Sequence, residues 1–486
     1  MIHDSQSLAR RAAFAVLLTV GFYLLAMAMV ALLLFVPYAE WTYGGRIHVK
    51  ILAFCVIGAG VILWSIIPRP DRFTAPGPLL LPDEQRELFK VLHAVAREMG
   101  QEMPAEVYAL GEMNAWVMDR GGIMGFGSRR VMGIGLPLLQ VLNVSQARGV
   151  IAHEFGHFYG GDTKLGPWIY RTRSAIIRTL AGLAEHGSLL QKPFIWYGNA
   201  FMRITQTISR GQEFTADRLA AGIVGSQAMI DGLQVIHGSG AVFDAFWRNE
   251  YVPALNKGYR PPLADGFAQF LRVPRISDAA NNIVSEEMES GETDLYDSHP
   301  SLRDRVAALQ KVNVVKEQDT TPSISLLRDL EHLEVSFLAA LAGPDTVSKI
   351  QPIGWDQVGG KVWIPLWQEH VDTHRNVLQG VHLQTLPEIL SDPESKQRLL
   401  SGTAEVEEGG QNHFLEGLIG AAVAVSLVRE GWQLSATPGN DVALSREGLD
   451  ILPFVAVRQL LEGRTSDEAW GKVCTAVKGD VVLGTA

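Results

Sequence analysis

The pattern of apolar and polar positions divides the chain into an anchor and a body. Ala12 to Val36 contains no charged residue and is long enough as a helix to cross a bilayer with some tilt. Ile51 to Ile67 is a second apolar segment, close to the lower limit for a span. Pro37 to Lys50 between them reads as a short polar hairpin, so residues 1–70 are expected to form a membrane anchor with helices at about 12–36 and 51–67. A cleaved secretory signal is the competing reading of the first stretch, but its apolar region is too long and another follows closely.

Past the anchor the periodicity changes. Pro68 to Pro82 is a proline-rich linker. Leu88, Val91, Leu92, Val95 and Met99 then recur at helical spacing within Asp83 to Met99. Glu106 to Val131 alternates short apolar runs with glycine, which predicts a small sheet, and Ser145 is a suitable cap for the helix that follows. Residues 164–208 are interrupted by Lys164, Arg171, Arg173, Arg178, Glu185, Lys192 and Arg203, so no apolar run of spanning length survives there. Leu415 to Val428, at about 14 residues, is a buried helix by length rather than a third span.

Charge and composition narrow the picture. The net charge is -10, with no arginine-rich or lysine-rich run, which argues against a nucleic-acid partner. Arg10, Arg11, Arg69 and Arg72 flank the two apolar stretches on the outside, against Arg46 and Lys50 in the hairpin. The positive-inside rule then puts the N-terminus and the body in the cytoplasm, the expected setting being a bacterial inner membrane. Tyr38, Trp41 and Tyr43 suit an interfacial belt. Cys55 and Cys474 are the only cysteines, so no disulfide framework is inferred.

The candidate chemistry lies in His153-Glu154-Phe155-Gly156-His157. Four residues advance a helix by about 400°, so both imidazoles fall on one face and can share a metal ion, with Glu154 beside them to reach a metal-activated water. A third ligand is needed. Glu213 and Asp217 stand at i and i+4 in the helix-compatible run Ser209 to Arg218. With His153, His157 and Glu213 as ligands a zinc ion keeps a fourth position for water, and Asp217 can orient an imidazole or pair with an arginine. The plain alternative is that both are solvated helix charges beside Arg210 and Arg218. A rival zinc pattern with a third histidine fails, because Thr163 occupies that position. His370 and His374 form another i, i+4 pair, but Val371 stands where a base would be needed, so surface or core histidines are the simpler reading.

Several spaced segments together resemble the M48 family of membrane-associated zinc endopeptidases. The resemblance covers roughly residues 80–310. His153 to His157 followed by Gly161-Asp162 resembles the first zinc helix of that family, and Ser209-Arg210, Glu213 and Ala216-Asp217 its second. Asn114-Ala115-Trp116, Gly135-Leu136 through Leu142, and His299-Pro300 with Arg305-Val306 resemble its other motifs in the same order. Trp116 and Ser301 depart from the commoner phenylalanine and proline.

The resemblance implies an α+β, mostly helical fold: a zincin-like metallopeptidase core with a small sheet at 71–315, the transmembrane hairpin before it, and an additional domain of unreadable function at 326–486. It implies one Zn²⁺ per chain held by His153, His157 and Glu213, with Glu154 as general base. His299 is then expected to steady the oxyanion, although Asp297 to Pro300 alone reads as a helix-initiating turn. Arg305 is expected to pair with Asp217. Peptidases of this architecture bind substrate as an added strand, which directs attention to Asn114 and Ala115 and to Gly133, Ile134 and Gly135 within Arg129 to Leu136. The expected partners are protein or peptide substrates, including membrane proteins in quality control, and the bilayer. The alternative from another class is an inactive membrane-anchored scaffold or chaperone with a structural zinc.

Overall fold

The computed structural model describes residues 2–67, 69, 73–121, 127–158, 166–184, 188–291, 299–401, 410–464, 467–476 and 482–483. The helices α1 (Ile2–Gly44), α2 (Val49–Ile66) and α3 (Arg86–Glu98) precede strands β1 (Glu106–Leu110), β2 (Ala115–Arg120) and β3 (Arg129–Gly135). Helices α4 (Leu136–Val141), α5 (Val144–Gly156), α6 (Gly166–Ala184) and α7 (Ser188–Val224) follow. By length and composition, Val16–Gly44 and Val49–Ile66 are able to cross a membrane.

The connection between them is shorter than the sequence suggests. Pro37 lies inside α1 rather than opening a hairpin, because losing one N–H bond does not stop a long helix whose other turns are intact. The chain turns only at Gly45, whose φ of 61° is in the left-handed region that glycine adopts without strain. Phe22, Ala26, Val30 and Leu33, each about one turn beyond the last, are buried on α1 and share a core with Cys55, Ala59 and Ile62 of α2.

Helices α6 and α7 join that core through Ala175, Ile176 and Leu183, and through Leu190, Phe194 and Phe201. Their charged residues do not prevent this. Arg178 turns its guanidinium to the Ser65 carbonyl at the end of α2, donating at 3.2 and 2.9 Å, and Thr172 meets Thr19 of α1 at 3.3 Å.

The sheet has the order β1-β3-β2, with β1 parallel and β2 antiparallel to the central β3. The outer edge of β1 is covered by residues 78–80, where Leu80 N–H donates to Val107 O and Ala109 N–H to Pro78 O. Ser145 is not the cap of α5. Asn143 is: its side chain accepts from Gln146 N–H at 2.8 Å, and the Gln146 side chain accepts from Asn143 N–H at 2.9 Å, a reciprocal box that satisfies two free donors at once. Ser145 instead accepts from Asp319 N–H.

The chain forms two compact units. Met1–Ser239 with Asn281–Leu341 is one, and Gly240–Ala280 with Ala342–Ala486 the other. The sequence places the division at 315–326, whereas 240–280 goes with the second unit, where Phe267 meets Phe243 edge-on and Phe246 at a tilt, and Phe246 meets Trp355. The second unit also has an apolar core around the helix Gln411–Arg429, with Leu415, Leu418, Ile419 and Leu427 fully buried. A helix so enclosed satisfies its hydrophobicity within the protein.

Candidate metal centre

His153 lies on α5 and His157, one turn later, is the residue that caps the C-terminal end of that helix; their ring centroids are 4.9 Å apart. Helix α7 crosses α5 closely because Gly156 has no side chain: a Cβ there would come within 2.9 Å of Ala216 Cα. That approach brings in Glu213, which is almost fully buried. Its Oε2 lies 3.3 Å from His153 Nε2 and its Oε1 3.6 Å from His157 Nε2. One turn along α7, Asp217 meets the other nitrogen of the same ring, Nδ1 of His153, at 2.8 Å.

Two further groups come from beyond α7. Arg305, on the helix Leu302–Val312, donates from Nε and Nη2 to the two Asp217 oxygens at 2.8 and 2.6 Å. This two-pronged pair fixes Asp217 and through it the His153 ring. His299, largely exposed, places Nδ1 3.2 Å from Glu213 Oε2. Donor atoms of His153, Glu154 and His157 all lie within 4.8 Å of one another, and the Val117 backbone of β2 lies on the side of the Glu154 carboxylate, where it favours the ionised form.

Burial and charge set the protonation of each group. Burial pushes the Glu154 carboxyl up to about 7, with the Glu213 charge adding to it against His153 and the Val117 backbone. Burial also pushes His157 down to about 4, helped by the charge of His153. For His153 burial works the other way from its partners, and Asp217 and Glu213 prevail, raising it to about 9. Burial likewise opposes ionisation of Glu213, but His153 and His299 hold its carboxyl far below the usual range.

These residues fit a zinc ion. Ligands at ordinary zinc distances in a tetrahedron stand roughly 3.3 Å from one another, which is the spacing between Glu213 and the two imidazoles. Glu213 Oε2 is buried without a properly directed hydrogen bond, the condition of an oxygen suited to a cation. The residue that the rival zinc pattern would use, Thr163, lies outside the described residues.

Gly133, Ile134 and Gly135, to which the added-strand mode directs attention, offer no free edge to a substrate strand. They belong to β3, the central strand, with β1 on one side and β2 on the other, and all three are buried. Among the described residues the open edge is that of β2. Gly135 N–H donates to Asn114 O, so the backbone groups of Ala115, Val117 and Asp119, out of phase by one, point away from β3. Asn114 and Ala115 stand where this edge begins. Val117 was missed by sequence reasoning; its only signal is its place in the alternation two residues after Ala115.

Comparison with known proteins agrees with the geometry. Residues 82–313, which carry every residue of the site, match the model of peptidase family M48. Over this stretch the chain is similar to family M48. Protease HtpX of Idiomarina loihiensis is 28% identical over 209 residues, covering 38% of this chain and 71% of the relative. An HtpX homolog of Desulfatibacillum aliphaticivorans is 24% identical over 250 residues, 47% of this chain and 69% of the relative. One of Chlorobium limicola is 25% identical over 255 residues, 48% of this chain and 74% of the relative. No solved structure matches. The region 82–313 thus resembles metalloproteases of the HtpX type, and it follows two helices, α1 and α2, that are long and apolar enough to cross a membrane.

Proposed function

We propose that the protein is a membrane-anchored zinc endopeptidase whose ion is held by His153, His157 and Glu213. The observation that carries this reading is the convergence of the Glu213 carboxylate, from a separate helix, on both imidazoles of α5 at 3.3 and 3.6 Å. When bound, zinc supplies the Lewis acidity that activates a water and polarises a peptide carbonyl.

The protein's own groups do the rest. Glu154, beside both imidazoles and with burial raising its carboxyl, takes a proton from the attacking water and passes it to the leaving amine nitrogen. His299, beside Glu213 at the exposed side of the centre, steadies negative charge developing on the carbonyl oxygen. Asp217 and Arg305 keep the His153 ring from turning. An extended substrate lies along the open edge of β2, its backbone meeting Ala115 and Val117, so recognition is largely independent of substrate sequence. Val117, whose backbone favours the ionised Glu154 carboxylate, ties this edge to the base.

Two membrane helices joined to the catalytic unit favour substrates that are themselves membrane proteins, as in quality control of the bilayer in which α1 and α2 sit, with the catalytic unit on the cytoplasmic side. The direct test is Glu154→Gln. It should lower cleavage of an unfolded protein such as casein on the order of a hundred- to ten-thousandfold while leaving zinc content unchanged; wild-type activity in this variant would remove Glu154 from the mechanism.

A further inference from the structure

A groove of about 560 Å³ runs along α2 and α6, lined by Ile57, Gly60, Val61 and Trp64 from the span and by Arg69 and Arg178. Its two ends differ in chemistry. Toward the middle of α2 it is apolar: Ile57 is half exposed, and the position of Gly60 faces open space, with nothing within 4 Å of where a Cβ would be. Toward the end of α2 it becomes cationic, and no carboxylate is among its described lining residues. Arg178 holds the Ser65 carbonyl, and Arg69 lies 5.7 Å over the ring of Trp64. Burial and the neighbouring Arg69 charge both push the Arg178 guanidinium down, so the two cations act on one another with no described anion between them.

We propose that this groove binds one anionic glycerophospholipid of the bilayer, its phosphate between Arg69 and Arg178 and an acyl chain along Ile57, Gly60 and Val61. The inference rests on the reading of α2 as a membrane span. Three observations select this occupant. The apolar half of the groove lies on a helix able to span, where an acyl chain is the surrounding solvent. Trp64, mostly exposed, occupies the end of that helix, where an indole favours the headgroup level. Two arginines at that same level, with no carboxylate among the described lining residues, complement a phosphate ester bearing net negative charge, whereas a zwitterionic headgroup would bring its own cation to them. The lipid would brace α2 against α6, and α6 lies between the two helices of the metal centre in sequence.

The full-length protein, reconstituted in vesicles of equal phosphatidylglycerol and phosphatidylcholine and then released, should retain phosphatidylglycerol in preference when its bound lipids are counted by native mass spectrometry. Arg69→Gln, which leaves the Arg178–Ser65 contact intact, should reduce that preference about fivefold. Gly60→Phe should reduce retention of both lipids by filling the open space. An unchanged lipid ratio in Arg69→Gln, or retention of neither lipid by the wild type, overturns the site. Release of the protein from native membranes by alkaline carbonate overturns the membrane reading itself, while a protein that resists carbonate yet shows no lipid preference overturns only the groove.

Discussion

Asp217 and Arg305 show how a single pair governs a ring that neither coordinates for. Both are more than nine-tenths buried, so removing one leaves the other charged in a medium that solvates it poorly. Asp217→Asn should therefore cost about 3–5 kcal/mol of stability in this unit, read as a lowered thermal midpoint, with Arg305→Met in the same background restoring part of it. A change within a few tenths of a kcal/mol would mean the pair is exposed to water. The candidate residues of this centre stand out in the sequence because their chemistry imposes spacing: two histidines four apart, and two carboxylates four apart on another helix. That His153 takes Glu213 on one nitrogen and Asp217 on the other was not legible, since a linear spacing does not say which nitrogen a distant helix will meet.

At the scale of elements, the centre depends on the distance between α5 and α7, and that distance depends on Gly156. A valine there would press on the Ala216 backbone, forcing the helices apart at a cost of about 1–3 kcal/mol. Gly156→Val should thus lower zinc content and cleavage together without altering any donor. Normal zinc with normal turnover in this variant would show that the crossing has slack. The elements themselves were partly legible. The helical stripe at Leu88 to Met99 and the glycine-interrupted strands follow from local periodicity. The centrality of β3 did not, because alternation reveals that a strand has a buried face and is silent on which neighbours pair with its edges. Likewise Asn143 displaced Ser145 as the cap because the reciprocal partner Gln146 sits three residues after Asn143.

At the scale of the whole molecule, the second unit carries its own titration. Burial raises the Glu250 carboxyl to about 7, against the Gly439 N–H and the charge of Arg275, the latter facing Asp441 at 3.5 Å. An acid whose folded pKa is raised binds its proton more tightly in the folded state, so this contribution is complete below the unfolded pKa and is lost as pH rises through about 7. The second unit should be more stable near pH 5 than near pH 8 by up to about 3 kcal/mol. Glu250→Gln should flatten that difference in thermal unfolding; an equal slope in wild type and variant would place the titration elsewhere. The hydrophobic pattern announced the two apolar helices but not the recruitment of α6 and α7 to their core, because Arg178 and Thr172 find partners on α2 and α1 that hydropathy alone does not reveal. The account as a whole rests on Glu213 completing a centre begun by the two histidines, and the most direct measurement is the zinc content of purified wild-type protein beside Glu213→Ala. The account predicts about one zinc per chain in the wild type and a large loss in the variant; a full equivalent of zinc retained by Glu213→Ala would contradict it.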